Sequence, residues 1–203
     1  MQRTRINWPW KPLYTYNPVT GCKRQCPWCY ARRIHERFHP GVPFSNIVVH
    51  ADRLWDTMPK KPSFVFIGSM SDIEYWPDNA VREILVRCRY NPEHTFIFLS
   101  KNPLSYHGVA WPDNTMQGLT MTLTQTEHCQ LENMEEMRKY PRPFLSLEPL
   151  LGALQVEVRN MQVIVGQMTG PGAVAPRREW VQSIKDHVPE RNIYWKQPEL
   201  KGV

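Results

Sequence analysis

No run of 18 or more consecutive apolar residues occurs in this 203-residue chain, which argues against a membrane-spanning helix. The first ten residues, Met1 to Trp10, are polar and aromatic. They lack the apolar core of a secretory signal, so a cytoplasmic location and no membrane partner are expected. Low-complexity tracts, repeats of fixed period and long linkers are also missing. The cysteine count is odd, at five, and in a cytosolic chain that argues against a disulfide framework. What is present is ordinary for a globular protein, with 41% hydrophobic and 22% charged residues. The length suits one domain spanning 1–203, with 1–12 as an N-terminal extension.

The formal net charge is +6, which favours anionic partners such as nucleic acid, nucleotides or phosphorylated metabolites. The densest basic cluster is Lys23-Arg24, then Arg32-Arg33 and Arg37. It falls on a cysteine-rich stretch and the segment that follows.

Proline, 19 residues in all, punctuates the chain without clustering. Between the prolines, short apolar runs alternate with helical patterns. Strands are expected at Leu13 to Val19, Phe64 to Ile67, Thr95 to Leu99, Gln117 to Thr122, Phe144 to Leu147, Met161 to Val165 and Asn192 to Trp195. Helical patterns fall at Ala31 to Phe38, from Pro77-Asp78 through Cys88, at Pro103 to His107, at Glu127 to Tyr140 and at Glu179 to His187. In the second of these, Val81, Ile84, Leu85 and Cys88 follow the i, i+3, i+4, i+7 spacing of one helix face. The strands are apolar throughout, as strands buried on both faces should be. Alternating strands and helices imply an α/β fold with a parallel sheet. The chain is short for an eight-fold barrel, so a partial (βα)6 TIM-type barrel is expected, with an open doubly wound sheet as the alternative.

In either fold, chemistry gathers where strands end. Those ends carry residues 20–29, Ser69, Ser71 and Asp72, Ser100 and Lys101, Thr122 and Thr124, Glu148, Gly166 and Gln167, and Lys196 and Gln197. These ends are mostly polar or ionisable, while the strands before them are not. The first contains Cys22, Cys26 and Cys29 in a C-x3-C-x2-C pattern. Three thiolates this close on one loop can each reach a different iron of a cubane cluster. No fourth cysteine is nearby, so one iron stays open to an outside ligand, as reaction at a metal requires. A closed zinc site remains the alternative, with His35 or His39 completing Cys3His.

The spacing, with the aromatic Trp28 before the third cysteine, resembles the signature of the radical SAM superfamily. Several segments narrow the resemblance: Asn17-Pro-Val-Thr-Gly-Cys22, Cys29-Tyr-Ala31, Gly68-Ser-Met-Ser-Asp72, His94-Thr-Phe-Ile-Phe-Leu-Ser-Lys101, Leu145-Ser-Leu-Glu-Pro-Leu-Leu-Gly152, and Val163-Ile-Val-Gly166 with Gly170-Pro-Gly172. Together they are similar to small phage and bacterial radical-SAM-like proteins, which are distantly similar to spore photoproduct lyase.

The resemblance implies a 4Fe–4S cluster on Cys22, Cys26 and Cys29, and S-adenosylmethionine on its open iron. Reductive cleavage would then give a 5′-deoxyadenosyl radical that takes hydrogen from a substrate. It implies an external one-electron reductant of flavodoxin or ferredoxin type. It also implies cofactor contacts from Trp28, Ser69, Ser71, Asp72, Lys101, Thr122, Glu148, Gly166 and Lys196. An acidic run expected near Gly166 is replaced by Gln167-Met-Thr169.

The basic charge beside the cysteines and the aromatic N-terminus point to a nucleic acid base or nucleotide as substrate, for modification or repair. The rival function is a zinc- or cluster-stabilised nucleic-acid-binding module without radical chemistry. Cys88 reads as a buried small hydrophobe. Cys129, near a helix start, is a minor candidate hydrogen donor.

Overall fold

The computed structural model describes residues Met1–Gly202. Two compact units are interleaved along the chain. The first comprises Met1–Ile6, Trp10–Ser100 and Gly108–Met116; the second comprises Asn7–Pro9, Lys101–His107 and the chain from Gln117 onward.

In the first unit, β1 (Gln2–Arg3) runs antiparallel to β2 (Leu13–Tyr16). Parallel to β2 lie β5 (Phe64–Ile67) and then β6 (Thr95–Ser100). Leu13 pairs with Phe64, and Phe64 with Thr95. A separate antiparallel ribbon joins β3 (Val19–Thr20) to β4 (Val48–Val49). The helices are α1 (Tyr30–Phe38), α2 (Ala51–Leu54) and α3 (Asp78–Arg89). Apolar side chains of β5 and β6 are buried on both faces, among them Val65, Phe66, Ile67, Phe96, Ile97 and Phe98. Helix α3 buries Ala80, Ile84, Leu85 and Cys88. Each such side chain removed from water is worth about 1.5–3 kcal/mol before the entropy of ordering it is set against that gain.

The second unit holds β7 (Thr115–Thr120) from Gln117 on, β8 (Pro143–Leu147), β9 (Gln162–Val165) and β10 (Ile193–Trp195). They lie in chain order and run parallel. Helix α4 (Glu127–Met137) buries Met134 and Met137, and α5 (Arg178–His187) buries Val181 and Ile184. The Thr126 hydroxyl caps α4 by accepting from the Cys129 N–H at 3.4 Å.

The chain is thus α/β with mainly parallel strands. Its element boundaries depart from the sequence expectation in three places. The first strand stops at Tyr16 because Asn17 directs its side chain across the strand end and Pro18 has no N–H for a ladder. The strand expected at Gln117 to Thr122 starts and ends two residues earlier, and Leu123 turns into the left-handed region at φ +59°. The segment 1–12, for which no strand was expected, contributes β1 to the sheet. No helix is long and apolar enough to cross a membrane among the described residues.

Candidate metal centre

The cysteine loop leaves β3 at Gly21 and is clamped from two sides by backbone. The Gly21 N–H donates to the Met70 carbonyl at 3.0 Å, and Gly21 bridges Ser71 in parallel sense. The Cys22 N–H donates to the Phe44 carbonyl at 2.8 Å. Gly21 has φ +96°, and a Cβ there would stand 2.0 Å from the Asn46 carbonyl oxygen. Only glycine fits both the angle and the space. The loop then closes on itself, the Cys29 N–H donating to the Cys26 carbonyl at 3.1 Å across Pro27 and Trp28.

Cys29 is the N-cap of α1, and its sulfur accepts from the Arg32 N–H at 3.4 Å. Cys22, Cys26, Cys29 and Trp28 are all half-buried, and none of the three cysteines is in a disulfide. Burial pushes the Cys22 thiol up to about 11, and the charges of Asp72, Cys29 and Cys26 add to the rise. Arg24, inside the loop, gives Nη2 to Glu74, while its Nε is buried without a hydrogen-bond partner.

The end of β5 supplies the other wall. Asn17 Oδ1 accepts from the Ser69 hydroxyl and the Met70 N–H, both at 3.1 Å. The Ser71 hydroxyl donates to the Val19 carbonyl at 3.0 Å and accepts from the Trp76 indole N–H at 2.9 Å. The Tyr30 hydroxyl donates to the Ser69 carbonyl. Asp72 is buried at 6% exposure. Its Oδ1 accepts from Ser100 Oγ at 2.6 Å and from the Glu74 N–H at 3.1 Å, capping the 3-10 turn Ile73–Tyr75. The sequence offered no nearby helix for Asp72 to cap, since the regular helix begins only after Pro77; the short turn supplies one. Asn17 and Ser100 were not among the expected contacts. The sequence signal for Asn17 was its place at the start of the Asn17-Pro-Val-Thr-Gly-Cys22 segment.

In the second unit, Glu148 follows β8 and Lys196 follows β10. The Lys196 ammonium donates to Glu148 Oε2 at 2.5 Å, and each side chain is about one-fifth exposed at 21%. Glu148 Oε1 accepts from the Trp8 indole at 3.2 Å and from Ser146 Oγ at 3.3 Å. Gly166 lies against the pair; a Cβ there would be 3.1 Å from Glu148 Cγ and from Lys196 Cδ. Gln167 donates its N–H to Gln197 Oε1 at 3.2 Å. Trp8 is buried at 3% exposure, edge-on to Phe144. Thr122 is buried and shares a 3.0 Å hydrogen bond with Thr124. Lys101, directly after β6, is half-buried.

The expected contacts therefore fall into two sets. Cys22, Cys26, Trp28, Cys29, Ser69, Ser71 and Asp72 belong to the first unit, and Lys101, Thr122, Glu148, Gly166 and Lys196 to the second. Among the described residues, no three His, Cys, Asp or Glu side chains converge where a single metal ion would bind. His35 directs Nε2 to the Val42 carbonyl at 2.9 Å and packs its ring against His39.

A family model described as "Protein of unknown function (DUF5131)" matches residues 3–198. No curated protein and no solved structure matches the chain.

Proposed function

The chain belongs to the family described as protein of unknown function (DUF5131), and for this member we propose a radical SAM enzyme in which Cys22, Cys26 and Cys29 hold a 4Fe–4S cluster. The observation that carries the reading is the loop itself. Three cysteines, none in a disulfide, sit on eight residues that follow β3 and that backbone hydrogen bonds tie to the segment after β5. When bound, the cluster supplies an open iron and one electron for cleaving S-adenosylmethionine to a 5′-deoxyadenosyl radical.

The donor set fits such a group. The half-buried sulfurs suit a ligand that takes each thiolate on a separate iron. The zinc alternative would need a fourth donor from His35 or His39, and His35 Nε2 is engaged with the Val42 carbonyl. The helix N–H on Cys29 sulfur and the Nε–H of Arg24, buried without a hydrogen-bond partner, are candidates to donate to cluster-bound sulfur, which would tune such a centre. Asp72, Ser69 and Ser71 line the same strand end and are candidates to orient an ammonium group. Asp72 is the one among them with a buried carboxylate. In the second unit, Glu148 and Lys196 form an ion pair and are separate candidates for contact with a polar ligand. Chain-order parallel strands in each unit support the finer fold reading, a partial (βα)6 barrel. The substrate reading is a nucleic acid base or nucleotide, supported by the basic charge on the cysteine segment.

The test is anaerobic reconstitution with iron and sulfide, then dithionite and S-adenosylmethionine, with 5′-deoxyadenosine read by chromatography. The wild type should form it and Cys26→Ala should not. A colourless protein that takes up zinc and no iron would replace this reading with the nucleic-acid-binding module. Substrate class is read by titrating DNA and RNA at several salt concentrations. Phosphate contacts make affinity fall steeply with salt, and a flat response removes the nucleic acid.

A further inference from the structure

Helix α1 buries little of itself. Of its nine residues only Ala31 is buried. Tyr30, Ile34 and Phe38, spaced i, i+4, i+8, are 48%, 44% and 66% exposed. That spacing puts them on one face. Val42 and Val48, at 45% and 44%, extend the apolar surface beyond the helix. Half of the ten large hydrophobics exposed among the described residues therefore come from 30–48. The overlapping stretch from Cys22 to His39 is strongly basic. Between Cys22 and His39 stand Lys23, Arg24, Arg32, Arg33 and Arg37 against the single carboxylate Glu36, a net of +4 out of +6. Arg37 lies over the Phe38 ring at 5.5 Å, and Arg32 pairs with Glu36 at 3.7 Å.

We infer that this face docks an acidic one-electron carrier protein, of flavodoxin type, that reduces the cluster. The inference rests on the radical SAM reading and adds to it the surface through which the electron enters. An apolar centre with a charged rim is the pattern of a protein interface. Tyr30 and Phe38 are aromatic, but Ile34, Val42 and Val48 make most of the patch aliphatic, and aliphatic side chains give a nucleic acid neither a stacking platform nor a phosphate contact. A face one short helix long matches the small interfaces of transient redox partners. The basic rim complements an acidic partner and steers its approach. The location also fits, because Tyr30 directly follows Cys29 and the first turn of α1 donates to its sulfur. A carrier on this face sits beside a cluster ligand. In the encounter the carrier loses one electron and the cluster gains one, and no atoms change hands.

The reconstituted full chain is compared with the double variant Ile34→Asp/Phe38→Asp, whose changes lie on the surface. Iron content and circular dichroism should match the wild type. 5′-Deoxyadenosine is followed with dithionite and, separately, with reduced flavodoxin. With dithionite the two proteins should be equal. With flavodoxin the variant should be slower by about tenfold or more, the effect of losing an interface anchor. The wild-type rate should fall with salt, and Arg37→Glu should flatten that fall. Equal flavodoxin-driven rates in wild type and variant overturn the docking face.

If dithionite gives no product in either protein, the radical reading has failed on its own. The face is then decided by calorimetric titration of flavodoxin into the cluster-free chain. Binding lost in the double variant supports the face, and binding unchanged overturns it. Loss of oligonucleotide binding in the variant, with flavodoxin binding intact, also overturns it and assigns the surface to nucleic acid.

Discussion

Gly21 and Gly41 make a matched pair for testing how the cysteine loop is held. Both have positive φ, +96° and +80°. They differ in surroundings: a Cβ on Gly21 would lie 2.0 Å from the Asn46 carbonyl oxygen and 2.8 Å from its carbon, whereas nothing lies within 4 Å of one on Gly41. Gly41→Ala therefore meets backbone strain alone, about 1–2 kcal/mol for an L-residue in the left-handed region. Gly21→Ala meets the same strain and a clash with main-chain atoms that cannot swing aside. The Phe44–Asn46 segment must move, and with it the Cys22 to Phe44 hydrogen bond.

A loss above about 4 kcal/mol is expected for Gly21→Ala, a large share of the roughly 5–15 kcal/mol that holds a domain together. Urea unfolding followed by circular dichroism gives both differences, and iron uptake reads the loop directly. Gly41→Ala should keep full iron uptake, and Gly21→Ala should lose it even where the protein remains folded. Equal midpoints for the two alanine variants, with equal iron content, would refute the clamp.

Three further outcomes follow from hydrogen bonds and charge. Asn17→Ala removes the acceptor for Ser69 Oγ and the Met70 N–H; two bonds of about 1 kcal/mol each predict a loss near 2 kcal/mol, and Asn17→Asp, which keeps the oxygens, should recover most of it in the same urea assay. Lys196→Met leaves the half-buried Glu148 without its cation and should cost about 1–3 kcal/mol, while adding Glu148→Gln should recover part of that loss in a double-mutant cycle. Burial opposes the charge of Glu136, but bonds from Lys139 and His107 outweigh it and hold the carboxyl below the usual range. Its folded value is depressed, so the stability difference between wild type and Glu136→Gln should be full above about 4.3, the value of an unfolded glutamate, and shrink as pH falls further.

The parallel strands were legible because β5, β6, β8 and β9 are continuous apolar runs, and their observed limits fall within one or two residues of the pattern. The loop–helix junction at Cys29 was equally plain from the end of the cysteine spacing. What escaped were contacts that depend on a partner far away in sequence. Nothing local in Gln2–Arg3 marks a strand until β2 lies beside it. Asn17 gave no sign that it would reach residues 69 and 70, nor Trp8 that its indole would find Glu148. Glu148 and Lys196 could be placed at strand ends from pattern alone, but their ion pair follows from the neighbouring registers of β8, β9 and β10.

The way the loop is held bears on what the metal does. In a small zinc module the ion supplies the folding free energy, and chelation unfolds the chain. Here the loop residues Lys23, Gln25 and Pro27 are exposed, and the turn is positioned by hydrogen bonds from Gly21 and Cys22 to segments outside it. Those segments rest on a core that includes Val19, Phe44, Phe66 and Ile67, none of which needs a ligand to be buried. The ends of the cysteine loop are thus held by hydrogen bonds and packing that need no metal. Removing the metal by chelation should leave far-ultraviolet circular dichroism unchanged, and should lower the urea midpoint only by the binding free energy of the cluster. Unfolding on chelation would mean that the ion carries the fold, and the loop would then be a structural metal site.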